Sequence, residues 1–331
     1  MQPFSRRYEL VTPVMAGCLL AVSLVCWITG YVRSLGFPIY EEVRAMPLWN
    51  AVCQHLQDKG MAYLTGAAGM CACAFLIHRA NYILILIREK TLLPVLLYML
   101  FISTHDDFIP LRSASFGTVF LILSIYFIFK TYHDTENMRD PFNAALSLGI
   151  GSLFWVHILC FLPFVWYAQY KFRSLTIRSF LATLLGIGVV YWLVLFYCLP
   201  KANYTLYEQL FYSFSFIPLK FVEYEWADWL FILCLMGLTG LSAMNIFAHE
   251  YEDNLRTREY LFVLILIAFG AFAFHFVYGQ SAEEFLMITC VPSSILMAHY
   301  FTVVRNRLNF WLFYGICMLL ISMFLIRIWS F

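Results

Sequence analysis

Long apolar runs recur along the chain of 331 residues, and they constrain its fold more than any short motif does. A helix needs about 20 apolar residues to cross a bilayer. Hydrophobic residues make up 62% of the sequence and charged residues 12%, whereas a soluble domain has about half and a quarter, so this chain needs lipid as its solvent. We predict an all-α polytopic integral membrane protein with eleven candidate spans: 11–31, 61–78, 91–104, 113–130, 142–155, 157–170, 178–198, 227–247, 259–278, 283–303 and 309–328.

Two of the shortest candidates, 142–155 and 157–170, follow each other almost without a break. Each is too short to cross a bilayer comfortably, so together they predict a helical hairpin that dips into the membrane. Gly149 and Gly151 would let this hairpin pack closely against its neighbours. The chain is therefore predicted to have about 11 transmembrane or re-entrant helices in a single integral membrane domain, 1–331.

The distribution of Lys and Arg predicts the orientation, because cytoplasmic loops collect these residues. With the N-terminus in the cytoplasm, fourteen of the 21 basic residues fall inside and seven fall outside, which favours an outer C-terminus. On the outer side, 47–58 carries Leu48, Val52 and Leu56 at four-residue spacing. This segment, and similarly 204–216, is predicted to lie flat on the membrane as an amphipathic helix.

Adjacent carboxylates concentrate on the predicted outer side. The pairs Glu41-Glu42, Asp106-Asp107 and Glu283-Glu284 all fall there, whereas Glu252-Asp253 falls on the cytoplasmic side with two arginines, 256 and 258, close behind it. Loop caps touch water and are polar in any membrane protein, so each pair alone is explained as loop polarity. Three pairs on one face favour a functional site, because ionisable groups near membrane depth usually face a cavity.

The candidate site combines these outer carboxylates with nearby basic residues. A carboxylate can act as a general base, and carboxylate oxygens are the ligands that Mg²⁺ or Mn²⁺ prefers. Arginine binds phosphate well, and Arg112 would also compensate the charge of the Asp pair. The candidate catalytic residues are Glu41, Glu42, Asp106 and Asp107, with Asp106 and Asp107 as metal ligands; the candidate substrate-binding residues are Arg44, Arg112, His105, His275, Glu283 and Glu284.

Several other classes of function are disfavoured by composition and spacing. A net charge of +1 gives no electrostatic field for nucleic acid, and no G-x-x-x-x-G-K phosphate loop is present. Eight of the ten cysteines lie inside apolar runs, where Cys acts as a small hydrophobic residue. The cysteine pattern therefore argues against a disulfide framework or a structural zinc site.

Three segments, 81–101, 142–186 and 282–301, resemble a family of polytopic inner-membrane proteins from Bacteroidota to which no activity is assigned. The resemblance implies a bacterial inner (cytoplasmic) membrane, with the outer side facing the periplasm. The architecture is also similar to membrane glycosyltransferases that use polyprenyl-phosphate sugars, since an acidic pair in the first outer loop precedes an amphipathic helix. That likeness implies that Glu41 or Glu42 serves as base or metal ligand.

The leading hypothesis is a polyprenyl-phosphate-dependent glycosyltransferase or a related envelope-glycan enzyme with a periplasm-facing acidic site. Its partners would be membrane lipid and a lipid-linked sugar. A non-catalytic membrane subunit or scaffold is the alternative, and nothing in the sequence excludes it. A transporter is less favoured, because no Asp or Glu falls in the middle of a candidate span.

Overall fold

The computed structural model describes residues 13–34, 46–56, 59–88, 91–198, 224–249, 253–304 and 306–330. This part of the chain is almost entirely helical and contains no strand. Its twelve α-helices are α1 (Pro13–Ser34), α2 (Pro47–His55), α3 (Lys59–Leu84), α4 (Leu93–Ser103), α5 (Ser113–Lys130), α6 (Arg139–Ser152), α7 (Leu162–Lys171), α8 (Ile177–Cys198), α9 (Trp226–Ala248), α10 (Leu255–Val277), α11 (Ala282–Val303) and α12 (Arg307–Ser330).

Eight of these helices are long and apolar enough to cross a membrane: α1, α3, α5, α8, α9, α10, α11 and α12. Helix α4 is apolar but has only 11 residues, which at 1.5 Å per residue is about half of a hydrocarbon core. The chain is therefore a multi-pass α-helical membrane protein, and the predicted fold class is confirmed.

The helices form two compact units. The first unit contains α1, the last turns of α3, α4 and the helices from α9 to α12; the second contains α2, most of α3 and the helices from α5 to α8. In the first unit α11 packs against α4, α9 and α10, and most of its residues are buried. This central helix connects the two ends of the first unit, where the polar clusters described below lie.

Hydroxyl groups on α11 find partners on the same helix or on an adjacent one. Thr289 Oγ1 donates to the carbonyl of Phe285, and Thr239 Oγ1 on α9 lies 2.8 Å from Ser293 Oγ on α11. A polar group without a hydrogen-bond partner costs on the order of several kcal/mol in an apolar interior. These bonds let α11 carry hydroxyls while remaining the most buried helix.

The predicted short hairpin is present in the second unit. Helix α6 ends at Ser152, a 3₁₀ segment covers Val156–Phe161, and α7 returns as a helix of 10 residues. Trp155 and Val156 at its tip are buried and His157 is half-buried. The hairpin is therefore enclosed by protein at its tip, as expected from its length.

Helix α2 covers this tip. The N–H of Leu48 donates to the carbonyl of Leu153 at 3.2 Å, which satisfies a group that the end of α6 leaves open. Trp49 belongs to one apolar cluster with Leu111 and Val156, and residues 52, 53 and 56 pack against that cluster. A helix in the segment 47–58 is thus confirmed over Pro47–His55, whereas its flat position on the membrane stays a prediction. Its buried side includes Trp49, and Leu48 is 38% exposed. The segment 204–216 lies outside the described residues.

Small residues allow the close approach of α6 to its neighbours. A Cβ added to Gly149 would lie 3.0 Å from Val190 Cγ2 on α8, and one added to Gly151 would lie 2.9 Å from Phe120 Cβ on α5. On the facing helix, a Cβ at Gly186 would lie only 2.6 Å from the backbone oxygen of Phe142. The predicted tight packing at Gly149 and Gly151 is confirmed, and Gly186 is its counterpart on α8.

We expect Gly186→Ala to lower the free energy of unfolding by about 2 kcal/mol, because the added methyl group meets backbone atoms that cannot move aside. The matched control is Gly188→Ala on the same helix, where nothing lies within 4 Å of the added Cβ. That change should be neutral or stabilise by up to about 1 kcal/mol. Unfolding in mixed detergent micelles measures both, and equal effects would contradict the close approach of α6 and α8.

Candidate functional site

His105 lies just beyond α4, at one end of the first unit. Helix α4 ends at Ser103, and a 3₁₀ turn over Asp106–Phe108 follows, so the chain turns sharply around the histidine. The ring of Phe108 stacks on the imidazole with centroids 4.1 Å apart, and Phe231 of α9 meets it edge-on at 5.0 Å. His105 is only 2% exposed. Its orientation is therefore fixed by two aromatic rings.

Two carboxylates flank the imidazole on opposite sides. Nδ1 of His105 lies 3.8 Å from Oδ2 of Asp107, and Nε2 lies 3.8 Å from Oδ1 of Asp228. These distances suit ion pairing with a protonated ring but are too long for direct hydrogen bonds. Such an arrangement stabilises an imidazolium and can therefore assist proton uptake by His105.

Asp228 is itself held in place by two donors. An Nη–H of Arg327 donates to Oδ1 of Asp228, and the backbone N–H of Glu225 lies 3.2 Å from Oδ2. Asp228 stands in the first turn of α9 and Arg327 in the last turn of α12, where each charge is favoured by its helix dipole. The side chain of Arg327 is 4% exposed, and Asp228 provides the opposite charge that a buried arginine needs.

A second group of polar side chains lies at the same end of the first unit. Tyr224, just before α9, stacks on His275 of α10 with centroids 5.7 Å apart and an interplanar angle of 21°. Burial raises the pKa of the Tyr224 phenol well above its ordinary value, and the negative charges of Glu283, Asp228 and Glu284 raise it further. Asp228 therefore links this group electrostatically to the His105 group.

We call the combined set of residues 105, 107, 224, 228, 275, 283, 284 and 327 the His105 end. Five of the sequence-predicted site residues belong to it: His105, Asp107, His275, Glu283 and Glu284. The predicted topology requires all five to share one side of the membrane, and the structure places them at one end of the first unit. The assignment of that side to the periplasm stays a prediction.

The other predicted site residues are not part of this arrangement in the described chain. Glu41, Glu42, Arg44 and the side chain of Asp106 lie outside the described residues. Arg112 is a buried residue of the second unit, with its backbone N–H 3.3 Å from Ser115 Oγ. Among the described residues, no group of three or more His, Cys, Asp or Glu side chains is arranged to hold a metal ion.

Asp228 and Arg327 are functional candidates that the sequence analysis missed. Both are single charges near the end of an apolar run, and each looks like ordinary interfacial polarity when considered alone. The 99 positions between them hide the pairing, which only the packing of α12 beside α9 reveals. A usable signal was that ionisable residues at the edge of a span need a partner inside the protein.

A separate cluster lies at the opposite end of the first unit. Asp253 accepts a hydrogen bond from Arg88 Nε at 2.7 Å, and its other oxygen lies 3.1 Å from Nε2 of His299 on α11. Arg256 and Arg258 lie closer to Asp253 in sequence than either of these partners does. Arg256 instead donates to the Tyr260 hydroxyl at 2.7 Å, because residues four apart face each other on a helix.

Burial of the Asp253 carboxyl tends to raise its pKa, but the hydrogen bond and charge of His299 together with the guanidinium of Arg88 outweigh that effect. The pKa of Asp253 in the folded protein is therefore lower than its usual value.

Comparison of the chain with protein-family models, with curated proteins and with solved structures found no match.

We expect Arg327→Met to destabilise the protein by about 3 kcal/mol, because it leaves Asp228 without its cation. Adding Asp228→Asn removes the unpaired charge. The double variant should therefore lose about 1–3 kcal/mol less unfolding free energy than the two single variants lose in sum. Unfolding in mixed micelles for the wild type, both single variants and the double variant measures this coupling. Simple additivity would show that the pair contributes nothing.

The Asp253 cluster predicts a pH-dependent stability. A carboxyl whose pKa is lower in the folded state stabilises the protein above its unfolded pKa of about 3.9, and this stabilisation is lost as the pH falls through the folded value. Asp253→Asn should lower the Tm at pH 7. The difference in Tm between this variant and the wild type should shrink as the pH falls below about 4. Asp134→Asn is the control, since Asp134 is exposed and only accepts a bond from a neighbouring N–H. A gap that stayed constant with pH would contradict the assignment.

Proposed function

We propose that the chain is an inner-membrane enzyme of bacterial envelope-glycan synthesis that transfers a sugar from a polyprenyl-phosphate donor. The supporting observation is the buried imidazole of His105 between two carboxylates, one of them fixed by Arg327. Sugar transfer to a hydroxyl needs a group that takes the hydroxyl proton. A histidine oriented and charge-stabilised by carboxylates is suited to this task.

In the proposed reaction the acceptor hydroxyl attacks the anomeric carbon of the donor. The new carbon–oxygen bond forms while the bond to the polyprenyl phosphate breaks, and the electron pair leaves with the phosphate. His105 takes the proton of the attacking hydroxyl, and Asp228 stabilises the imidazolium that results. Asp107, on the other nitrogen, favours the same charged form.

The location of the His105 end also supports this proposal. It lies where α4, α9, α10, α11 and α12 begin or end, and we expect the ends of membrane-spanning helices to lie at the depth of lipid head groups. The phosphate and sugar of a lipid-linked donor occupy that depth while the polyprenyl chain remains among the helices. The roles of Glu41, Glu42 and Arg44, and a divalent cation at Asp106 and Asp107, stay predictions of the sequence.

One observation favours a second candidate, a proton-coupled transporter. Helix α11 carries a buried carboxyl, Glu284, near one end and the buried His299 near the other, with buried hydroxyls of Thr289, Ser293 and Ser294 between them. Ionisable groups along a buried helix are typical of proton pathways. A transporter needs both clusters for its activity, whereas the proposed enzyme needs only the His105 end.

We expect His105→Gln to lower the rate of sugar transfer by about 100-fold or more, because it removes the general base but keeps a polar group of similar size. The assay uses the purified protein in liposomes with a polyprenyl-phosphate hexose that carries a radiolabelled sugar, together with extracted envelope lipids as acceptor. Transfer is measured as label that moves into a new product.

Asp228→Asn should also lower transfer, because the imidazolium loses its stabilising charge. His133→Gln is the matched control, since His133 is exposed and lies in the second unit; it should retain full activity. Asp253→Asn should retain transfer per folded molecule, whereas its inactivity in a proton-flux assay would support the transporter. The non-catalytic scaffold would be supported instead if the wild type showed no transfer and a strain that carries only His105→Gln grew normally.

A further inference from the structure

Buried polar atoms of two stacked rings at the His105 end have no hydrogen-bond partner among the described residues. They are Nε2 of His275 and the hydroxyl of Tyr224. His275 is only 2% exposed, and the two rings stack on each other. A buried polar atom without a partner costs about 1–3 kcal/mol, so two such atoms on stacked rings point to a ligand that both would contact.

The hydrogen-bonding character of this pair follows from the contact on the other side of the imidazole. Nδ1 of His275 lies 2.7 Å from the carbonyl oxygen of Ala282. A carbonyl can only accept, so Nδ1 carries the hydrogen, and Nε2 of the neutral ring is left as an acceptor. The phenol of Tyr224 can both donate and accept. The ligand must therefore offer hydroxyl or other N–H or O–H donors.

The charge of the surroundings restricts the ligand further. Glu283, Asp228 and Glu284 all act on Tyr224 with negative charge, and Glu283 also acts on His275. An anionic group would be repelled here, whereas hydroxyl groups would find carboxylate acceptors. Phosphate is therefore excluded from this half of the site.

The aromatic side chains supply the remaining feature. The ring of Trp229 meets Tyr224 edge-on with centroids 5.6 Å apart, and Phe276 meets His275 at 5.0 Å. The C–H face of a pyranose ring packs well on aromatic side chains, while its hydroxyls bond to acceptors at the rim.

We infer that Tyr224, His275 and Glu283 form a subsite for a neutral sugar ring, separate from the place where the donor phosphate binds. This assignment rests on the proposed sugar-transfer function for the identity of the bound molecule as donor or acceptor. It places the sugar on the Tyr224 side of Asp228 and the base, His105, on the other side. The subsite thus selects neutral sugars over uronic acids.

The experiment measures sugar binding directly, without any transfer reaction. The full chain is placed in phosphatidylcholine nanodiscs, because sugar-based detergents would occupy the subsite. Methyl glycosides of glucose, mannose, galactose and N-acetylglucosamine are the probes, glucuronate is the anionic comparison and ethanolamine the cationic one. Saturation-transfer NMR titrations then give a Kd for each compound.

We expect saturable binding of at least one neutral methyl glycoside. The Kd of glucuronate should be higher by about tenfold or more. Tyr224→Phe removes one hydroxyl and should raise the Kd about three- to tenfold. Tyr314→Phe is the matched control, because that hydroxyl lies in the same unit against Met15 Sδ; it should leave the Kd unchanged.

His275 allows a sharper comparison. His275→Asn keeps a donor near the carbonyl of Ala282 but lacks Nε2, and it should weaken binding. His275→Gln restores an acceptor near the position of Nε2 and should recover part of the affinity. Normal expression and Tm of both variants separate loss of binding from loss of folding.

The inference is overturned if no neutral glycoside binds saturably up to about 100 mM, if ethanolamine binds in preference to the glycosides, or if the Tyr224 and His275 variants bind like wild type. Glycoside binding without any sugar transfer would refute the proposed enzymatic function but would still support the sugar subsite. Sugar transfer with unchanged KM in both variants would refute the subsite and leave the enzyme.

Discussion

The first unit depends on one constraint, namely that a charge buried among apolar helices must have its partner within the protein. The pair of Asp228 and Arg327 meets this constraint between the first turn of α9 and the last turn of α12. Asp228 also lies at ion-pair distance from His105. The pairing of Asp228 with Arg327 therefore fixes one of the two carboxylates beside His105.

The same constraint explains the division of the first unit into an apolar middle and two polar ends. Helix α11 is buried along most of its length, and its hydroxyls are satisfied by backbone carbonyls or by Thr239. Glu283 and Glu284 stand in its first turn, and His299 lies near its other end. In the described part of the first unit, the ion pairs of His105, Asp228 and Arg327 lie at one end and those of Asp253 lie at the other.

Much of the fold follows from hydropathy, because the bilayer thickness dictates the length of each apolar run. The hairpin of α6 and α7 was predictable, since two short runs and two glycines leave few alternatives. The covering role of α2 was not, because it depends on Trp49 meeting Val156, more than a hundred positions away. Gly186 was missed for a similar reason: only the crossing of α6 and α8 shows that its missing side chain is needed.

Prediction from the sequence was less complete for the candidate site than for the fold. Adjacent carboxylates drew attention to Asp107, Glu283 and Glu284, which do lie at the His105 end. Single residues such as Asp228, Arg327 and Tyr224 carry no local pattern, yet they connect the group. Charge pairing also failed as a local rule at Asp253, whose partners come from α11 and from the turn after α3 rather than from the next helical turn.

The long separation between Asp228 and Arg327 has a consequence for how the protein is made. Helix α9 enters the membrane during synthesis with an acidic side chain whose cation has not yet been translated, since it follows 99 residues later. Until α12 is in place, Asp228 lacks the arginine with which it pairs in the folded protein, and a charge at the edge of an apolar helix is costly without such a partner. Completion of α12 therefore supplies the cation that holds Asp228 in its place beside His105.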